Sequence, residues 1–289
     1  MNQGIGGNIE AIGEYRAQLG ETPVWCRRSG SLLWVDILQN RLLRYWPNQA
    51  GSVDVRPMPV FTSAVLLTSE PEIFLVVSQS GISLYNYQNQ QSSAVCAWPN
   101  DAHGTRPNEA AIAPDGSLWF STMDPTAQKA IGSWYRVCAD SPTPQHLLGG
   151  LLVPNTLQWI GENVWFADSL RHRFYRATLQ PHGLHIEQEY QVNGIPDGST
   201  LTDDGELINA CWGSSCLARY RIDNLQLVES GRIALPVSQP SSCTFGGPNL
   251  SDLYITSARD GLARPVALDG AVLKITTTIA GTPARKFRI

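Results

Sequence analysis

At 289 residues, 43% hydrophobic and 16% charged, the chain is globular and not disordered. Its formal net charge of −4 argues against nucleic acid as a partner, and no apolar run approaches the length of a membrane span. The opening Met1-Asn2-Gln3-Gly4-Ile5-Gly6-Gly7 has neither a basic patch nor an apolar stretch, so no secretion signal is read there. The six cysteines (Cys26, Cys96, Cys138, Cys211, Cys216, Cys243) are scattered with no C-x-x-C pair. They read as reduced thiols of a cytoplasmic protein, in preference to a Cys211–Cys216 bridge.

Residues 8–16 alternate like a strand before any repeat begins. Six segments follow: 31–45, 72–85, 115–137, 162–177, 204–222 and 251–275. Each has a turn, a strand rich in aromatic or β-branched residues, and a second hairpin strand. Trp34, Phe74, Trp119, Trp165, Ile208 and Tyr254 hold one reference position, spaced by about 40, 45, 46, 43 and 46 residues, a propeller-blade period. No stretch sustains a helical period over three turns. The expected fold is all-β: a six-bladed β-propeller forming one domain over 1–289, with the N-terminal strand closing the last blade.

Three Pro-containing turns fall at nearly the same phase of the repeat. They are Arg106-Pro107-Asn108-Glu109, Val153-Pro154-Asn155-Thr156 and Ile195-Pro196-Asp197-Gly198. Loops entering an innermost strand and loops of the middle hairpin leave a blade on the same face. Glu21, Asn108, Asn155 and Asp197 are therefore expected together, with 169–173 and 258–261 nearby. Glu21, Asn155 and Asp197 would offer two carboxylates and an amide oxygen to one divalent cation. Ca²⁺ is the first choice, with Mg²⁺, Mn²⁺, Zn²⁺ and Fe²⁺ compatible. Taken singly, Asn and Asp are also ordinary turn residues; the shared phase is what points to a cation.

Other residues read as structure. Asp36 and Asp168 end strands and are expected to bind backbone amides of neighbouring loops. Trp34, Trp119, Trp159 and Trp165 are expected to pack between blades. Arg171-His172-Arg173 reads either as a basic rim suited to an anionic substrate or as a solvated hairpin tip. Gly213-Ser214-Ser215 is no G-x-S-x-G elbow, and the histidines show no metal spacing.

Along nearly its full length the chain resembles the regucalcin / gluconolactonase / luciferin-regenerating enzyme family. The matching stretches are Gly20-Glu21-Thr22-Pro23-Val24-Trp25, Leu33-Trp34-Val35-Asp36-Ile37, Arg106-Pro107-Asn108-Glu109, Asn155-Thr156-Leu157, Ile195-Pro196-Asp197-Gly198, Cys243-Thr244-Phe245-Gly246-Gly247 and Leu253-Tyr254-Ile255-Thr256-Ser257-Ala258-Arg259. The resemblance implies a six-bladed propeller with one catalytic divalent metal on its axis. It implies Glu21, Asn155 and Asp197 as ligands, and Arg106 and Asn108 as substrate-binding residues. Two positions depart from the family: Glu109 stands where many relatives have Asp, and Thr122-Met123-Asp124-Pro125-Thr126 lacks a substrate-contacting Glu found in some relatives.

The implied chemistry is hydrolysis of a sugar lactone to its acid, with Asp197 both holding the metal and accepting a proton from water. The expected partner is a small-molecule sugar lactone, with no nucleic acid and no membrane, and the chain is expected to be a monomer or weak dimer. Two alternatives are a phosphotriesterase-like hydrolase on the same scaffold and a non-catalytic Ca²⁺-binding propeller.

Overall fold

The computed structural model describes residues 7–49 and 52–289. Residues 1–6, in the stretch where no secretion signal is read, lie outside the described residues, as do 50 and 51. The short strand β1 (Ile9–Ile12) comes first, and all the strands, β1 included, form six four-stranded antiparallel sheets.

The first blade is β2 (Gly20–Cys26), β3 (Ser31–Asp36), β4 (Arg41–Tyr45) and β5 (Val53–Pro57). The second is β6 (Ala64–Leu67), β7 (Ile73–Ser78), β8 (Gly81–Asn86) and β9 (Ser92–Cys96). The third is β10 (Arg106–Ile112), β11 (Leu118–Met123), β12 (Gly132–Cys138) and β13 (Ser141–Leu151). The fourth is β14 (Pro154–Ile160), β15 (Asn163–Asp168), β16 (Arg173–Gln180) and β17 (Gly183–Gln191). The fifth is β18 (Ile195–Leu201), β19 (Leu207–Trp212), β20 (Cys216–Asp223) and β21 (Gln226–Ala234). The sixth joins β22 (Pro240–Gly246), β23 (Asp252–Ser257) and β24 (Val272–Thr276) to β1. This is a six-bladed β-propeller, nearly all β; among the described residues the only helix is a 3₁₀ turn, Ser169–Arg171. No helix among them is long and apolar enough to cross a membrane.

Composition grades across each blade. Strand β3 is buried at every residue and β7 at all but its first, so both read as near-continuous apolar runs. The outermost strands β9 and β17 are mostly exposed, and β17 is mostly polar. A strand covered on both faces needs apolar residues at every position; one at the rim does not. The six reference residues all lie on second strands, the most covered ones.

The described residues fall into two compact units. The first holds the first, fifth and sixth blades around a core that includes Trp34, Ile208, Phe245, Leu253 and Leu273. Trp25 stacks on Tyr254 at 5.7 Å and 9°, joining the first blade to the sixth. The expected closure is present here: β1 pairs antiparallel with β24, from Ile9↔Ile275 to Ile12↔Val272. The strand is shorter than the segment 8–16 because Gly13 turns at φ +59, where a Cβ would meet Val53 at 2.8 Å.

The second unit holds the second, third and fourth blades, with a core that includes Trp119, Trp134, Leu157 and Phe166. Trp119 meets Trp159 edge-on at 5.4 Å, so these indoles pack between blades as expected. The chain end belongs to this unit: Phe287 bridges Thr68, and the Arg285 guanidinium sits 5.5 Å over Trp159.

Candidate functional site

The three Pro-containing motifs are not free turns. Each lies inside the first strand of its blade, at a break in register. The ladder slips between Pro107 and Ala110, between Asn155 and Leu157, and between Pro196 and Ser199. It slips in the same place between Glu21 and Val24, and between Pro240 and Ser242. Proline cannot donate to a ladder, so it falls at strand starts and bulges; it sits just before Asn108, Asn155, Asp197 and Ser241, and in the Glu21 bulge it follows as Pro23. Bulges re-aim side chains and gather beside functional sites. Two residues after them are strained: Thr22 and Thr156 are buried, β-branched and at φ +45 and +42, a region such residues rarely adopt.

In the second unit three predicted residues come together. Arg106 is buried; its Nη1 donates to the Pro107 carbonyl at 2.8 Å and to Asn108 Oδ1 at 3.1 Å. Asn108 Nδ2 reaches across blades to Asn155 Oδ1, 3.1 Å, and to the Pro154 carbonyl, 3.1 Å. Asn155 Nδ2 donates to Ser169 Oγ at 2.9 Å. With its nitrogen committed to Ser169, the Asn155 amide has one orientation, and its oxygen is the end available to an electrophile. Ser121 Oγ donates to the Pro154 carbonyl (3.2 Å) and accepts from Glu109 N–H (3.0 Å), tying the two bulges together.

Glu109 follows Asn108 in β10, with its N–H held by Ser121. Burial pushes its carboxyl up to about 7, against the opposing effect of the Ala110 N–H donated to Oε1 at 2.9 Å. Asp124 follows Met123, the ladder partner of Arg106, but its oxygens accept from Thr126, Gln128 and Lys129. The Thr126 hydroxyl first, helped by those N–H groups, holds it down at about 2. It organises the loop after β11.

In the first unit Glu21 and Asp197 are both buried, at 9% and 4% exposure, each at its bulge. Glu21 Oε2 accepts the Thr22 N–H at 3.0 Å. Fully buried Asn209 donates to the Asp197 and Gly198 carbonyls at 2.7 and 3.2 Å and holds that bulge shut. Gly198 is required by close approach, since a Cβ would fall 2.2 Å from Ser242 Oγ. Strand β22 packs against both β2 and β18. It brings Ser241 to the equivalent position, with Oγ donating to the Gly20 carbonyl beside Glu21.

Ser241, Asn209 and Ser121 have no role in the sequence reading, and Ser169 enters it only within the stretch 169–173 expected nearby. Pro240-Ser241 repeats the Pro-polar phase of the other blades and was a readable signal. The other three lie on or after second strands, where nothing in the local pattern separates them from packing residues.

Asp36 and Asp168 are structural, as expected. Asp36 accepts N–H groups from Gln18, Leu19 and Gln39, and the Tyr15 hydroxyl. Asp168 accepts those of Leu152 and Val153. The basic stretch is engaged too: Arg171 donates to the Gly150 carbonyl, and Arg173 pairs with Glu189 at 2.6 Å. A 310 Å³ cleft in the first unit, lined in part by Trp25, Arg27, Asn48 and Asp252, includes none of the candidate residues. Among the described residues no three His, Cys, Asp or Glu side chains cluster as a metal site. The expected donor set has only two carboxylates, its third member being an amide. Carboxylate and amide oxygens are hard donors, and a hard divalent cation fits them.

Residues 19–259 match the model of a family described as the SMP-30/Gluconolactonase/LRE-like region. An L-arabinolactonase of Azospirillum brasilense is 29% identical over 97% of this chain and 96% of its own. A 6-deoxy-6-sulfogluconolactonase of Pseudomonas putida is 31% identical over 84% of each. Among solved structures, a calcium-binding regucalcin of Agrobacterium tumefaciens superposes with a TM-score of 0.87 at 26% identity, covering 99% of this chain and 98% of that one.

Proposed function

The chain belongs to the SMP-30/gluconolactonase/LRE-like family, a sugar lactonase-like family, and on that premise we propose that it is a metal-dependent lactonase opening a sugar lactone to the sugar acid. One observation carries the reading: Glu21, Asn155 and Asp197 each stand at the register break of a blade's first strand. Strained Thr22 and Thr156 directly follow two of them. Packing alone has no use for buried oxygens at a strained, repeated position. The lactonase names of two relatives support the reaction class. A calcium-binding structural neighbour supports a divalent cation.

Glu21, Asn155 and Asp197 would hold the cation, with Ca²⁺ the first choice. When bound, it supplies Lewis-acid polarisation of the lactone carbonyl or acidifies a water. Asp197 accepts the proton of the water whose oxygen bonds to the carbonyl carbon. It returns that proton to the ring oxygen as the C–O bond breaks. Arg106 steadies the negative charge that builds on oxygen. Asn108 binds the substrate and also sets the Asn155 amide, because its Nδ2 lies on Asn155 Oδ1.

The test is acid release from a panel of sugar lactones, with a no-enzyme control. Metal-stripped protein is assayed, then reloaded with Ca²⁺, Mn²⁺, Zn²⁺, Mg²⁺ or Fe²⁺, beside Asp197→Ala. Metal-dependent turnover lost in the variant is expected. Faster turnover of a phosphotriester would replace the lactonase reading. Cation binding with no hydrolysis would make the protein a binding propeller.

A further inference from the structure

Two cysteines outside the proposed site are placed for chemistry of their own. Cys211 on β19 and Cys216 on β20 are directly paired across a hairpin. Opposed residues of an antiparallel pair have Cα atoms about 4.5–5.5 Å apart and side chains on one face. That lies inside the span of about 4.4–6.8 Å that a disulfide bridges. Among the described residues no other cysteine is paired with a cysteine across a ladder: Cys26 faces Ser31, Cys96 faces Ile82, Cys138 faces Ser141 and Cys243 faces Ile255.

The two thiols differ. Cys216 is the more exposed, 8% against 2%, beside the exposed tip Gly213-Ser214-Ser215. Arg232 Nη1 lies 3.8 Å from its sulfur. Burial, with Cys216 beside it, pushes the Cys211 thiol up. Cys211 also touches the candidate site through the ladder. It pairs with Pro196, the residue before Asp197, and Asn209, two residues earlier, holds the Asp197 and Gly198 carbonyls.

We propose that Cys211 and Cys216 are a peroxide-sensitive modification site, closing to a reversible disulfide that acts on the strand carrying Asp197. Cys216, the less buried of the two thiols, attacks hydrogen peroxide as the thiolate. The O–O bond breaks, leaving a sulfenic acid and hydroxide, which takes up the proton Cys216 released. Cys211 sulfur then attacks the sulfenic sulfur, and its own proton leaves in a second water. Two thiols are oxidised and one peroxide is reduced to two waters. Where glutathione keeps thiols reduced, such a bond is transient and serves as a sensor. Formation of the bond is independent of the lactonase reading; only its effect on turnover rests on it.

Both cysteines fall in one tryptic peptide, 177–219. Full-length reduced protein is treated with hydrogen peroxide, alkylated and digested. The expected peptide carries no alkyl group, is lighter by two hydrogens, and reverts with dithiothreitol. Cys211→Ser should instead trap a Cys216 sulfenic acid with dimedone, and Cys216→Ser should give neither product. A doubly alkylated peptide while Cys96 or Cys138 oxidises would overturn the site. So would sulfinic acid on Cys216 without a bond.

Hydrogen exchange over 195–201 and lactone turnover are read on the same samples. Changed exchange and a reversible fall in turnover of roughly fivefold or more are expected, absent in both serine variants. A bond that leaves exchange unchanged would overturn the coupling to Asp197. A reduced protein without turnover would overturn the lactonase reading and leave the mass result standing.

Discussion

The second and fourth blades, in one unit, use the same position in opposite ways. Strand β6 is Ala64-Val65-Leu66-Leu67, wholly buried, in unbroken register with β7. Strand β14 opens Pro154-Asn155-Thr156 and slips register at once, with Thr156 in the left-handed region. The architecture therefore does not require the bulge. A blade without it fills that strand with apolar side chains. A blade with it presents a buried polar side chain held by neighbours on both sides: Asn108 in front and Ser169 behind. One strand position thus serves apolar packing in one blade and a hydrogen-bonded polar side chain in another.

Substitutions can break that contrast, the largest expected first. Asn155→Ala should cut cation affinity and lactone turnover by roughly 100-fold or more while the protein stays folded. Leu66→Ala should do the reverse. It should cost about 2–5 kcal/mol in denaturant unfolding, with turnover per folded molecule unchanged. If both substitutions damaged stability and turnover alike, the separation would fail.

Ser169→Ala removes the acceptor that orients Asn155. It should weaken cation binding by about 10–100-fold by titration calorimetry, with little change in unfolding midpoint.

Glu109 gives a pH signature. Its carboxyl is raised from 4.5 to about 7 by burial, so the folded chain holds the proton more tightly than the unfolded one. The resulting stabilisation is complete below about pH 4.5 and lost as pH rises through about 7. Compared with Glu109→Gln in chelator, the wild type should lose on the order of 3 kcal/mol between those limits. A pH-independent difference would place that carboxyl in water.

The smallest effect belongs to the basic hairpin. Arg173 is bound to half-exposed Glu189. Arg173→Ala should change stability by less than about 1 kcal/mol and leave KM for an anionic lactone unaltered. A raised KM specific to anionic lactones would restore a basic substrate rim.

The candidate positions were legible as phase but not as geometry. Pro107, Pro154 and Pro196 mark the register breaks, but the sequence reads there as turns before a strand, whereas they open bulges within one. Proline signals a missing donor, and both a turn and a bulge meet that need. Glu21 has no proline before it; Pro23 follows inside its bulge, which shows only in the slipped pairing with β3.

The sequence by itself determined the number of blades, their strand order and the strand that closes the last one. These follow from an apolar period and from turns between neighbours in the chain. Tertiary structure alone decided how the site is wired. Asn108 and Asn155 are 47 residues apart, and Ser241 and Gly20 are 221 apart, so no local pattern encodes their bonds. The pairing of Cys211 with Cys216 lies between these cases. Its spacing is visible in the chain, but only the hairpin register sets the two thiols face to face, because a slip of one residue would send one of them to the other side of the sheet.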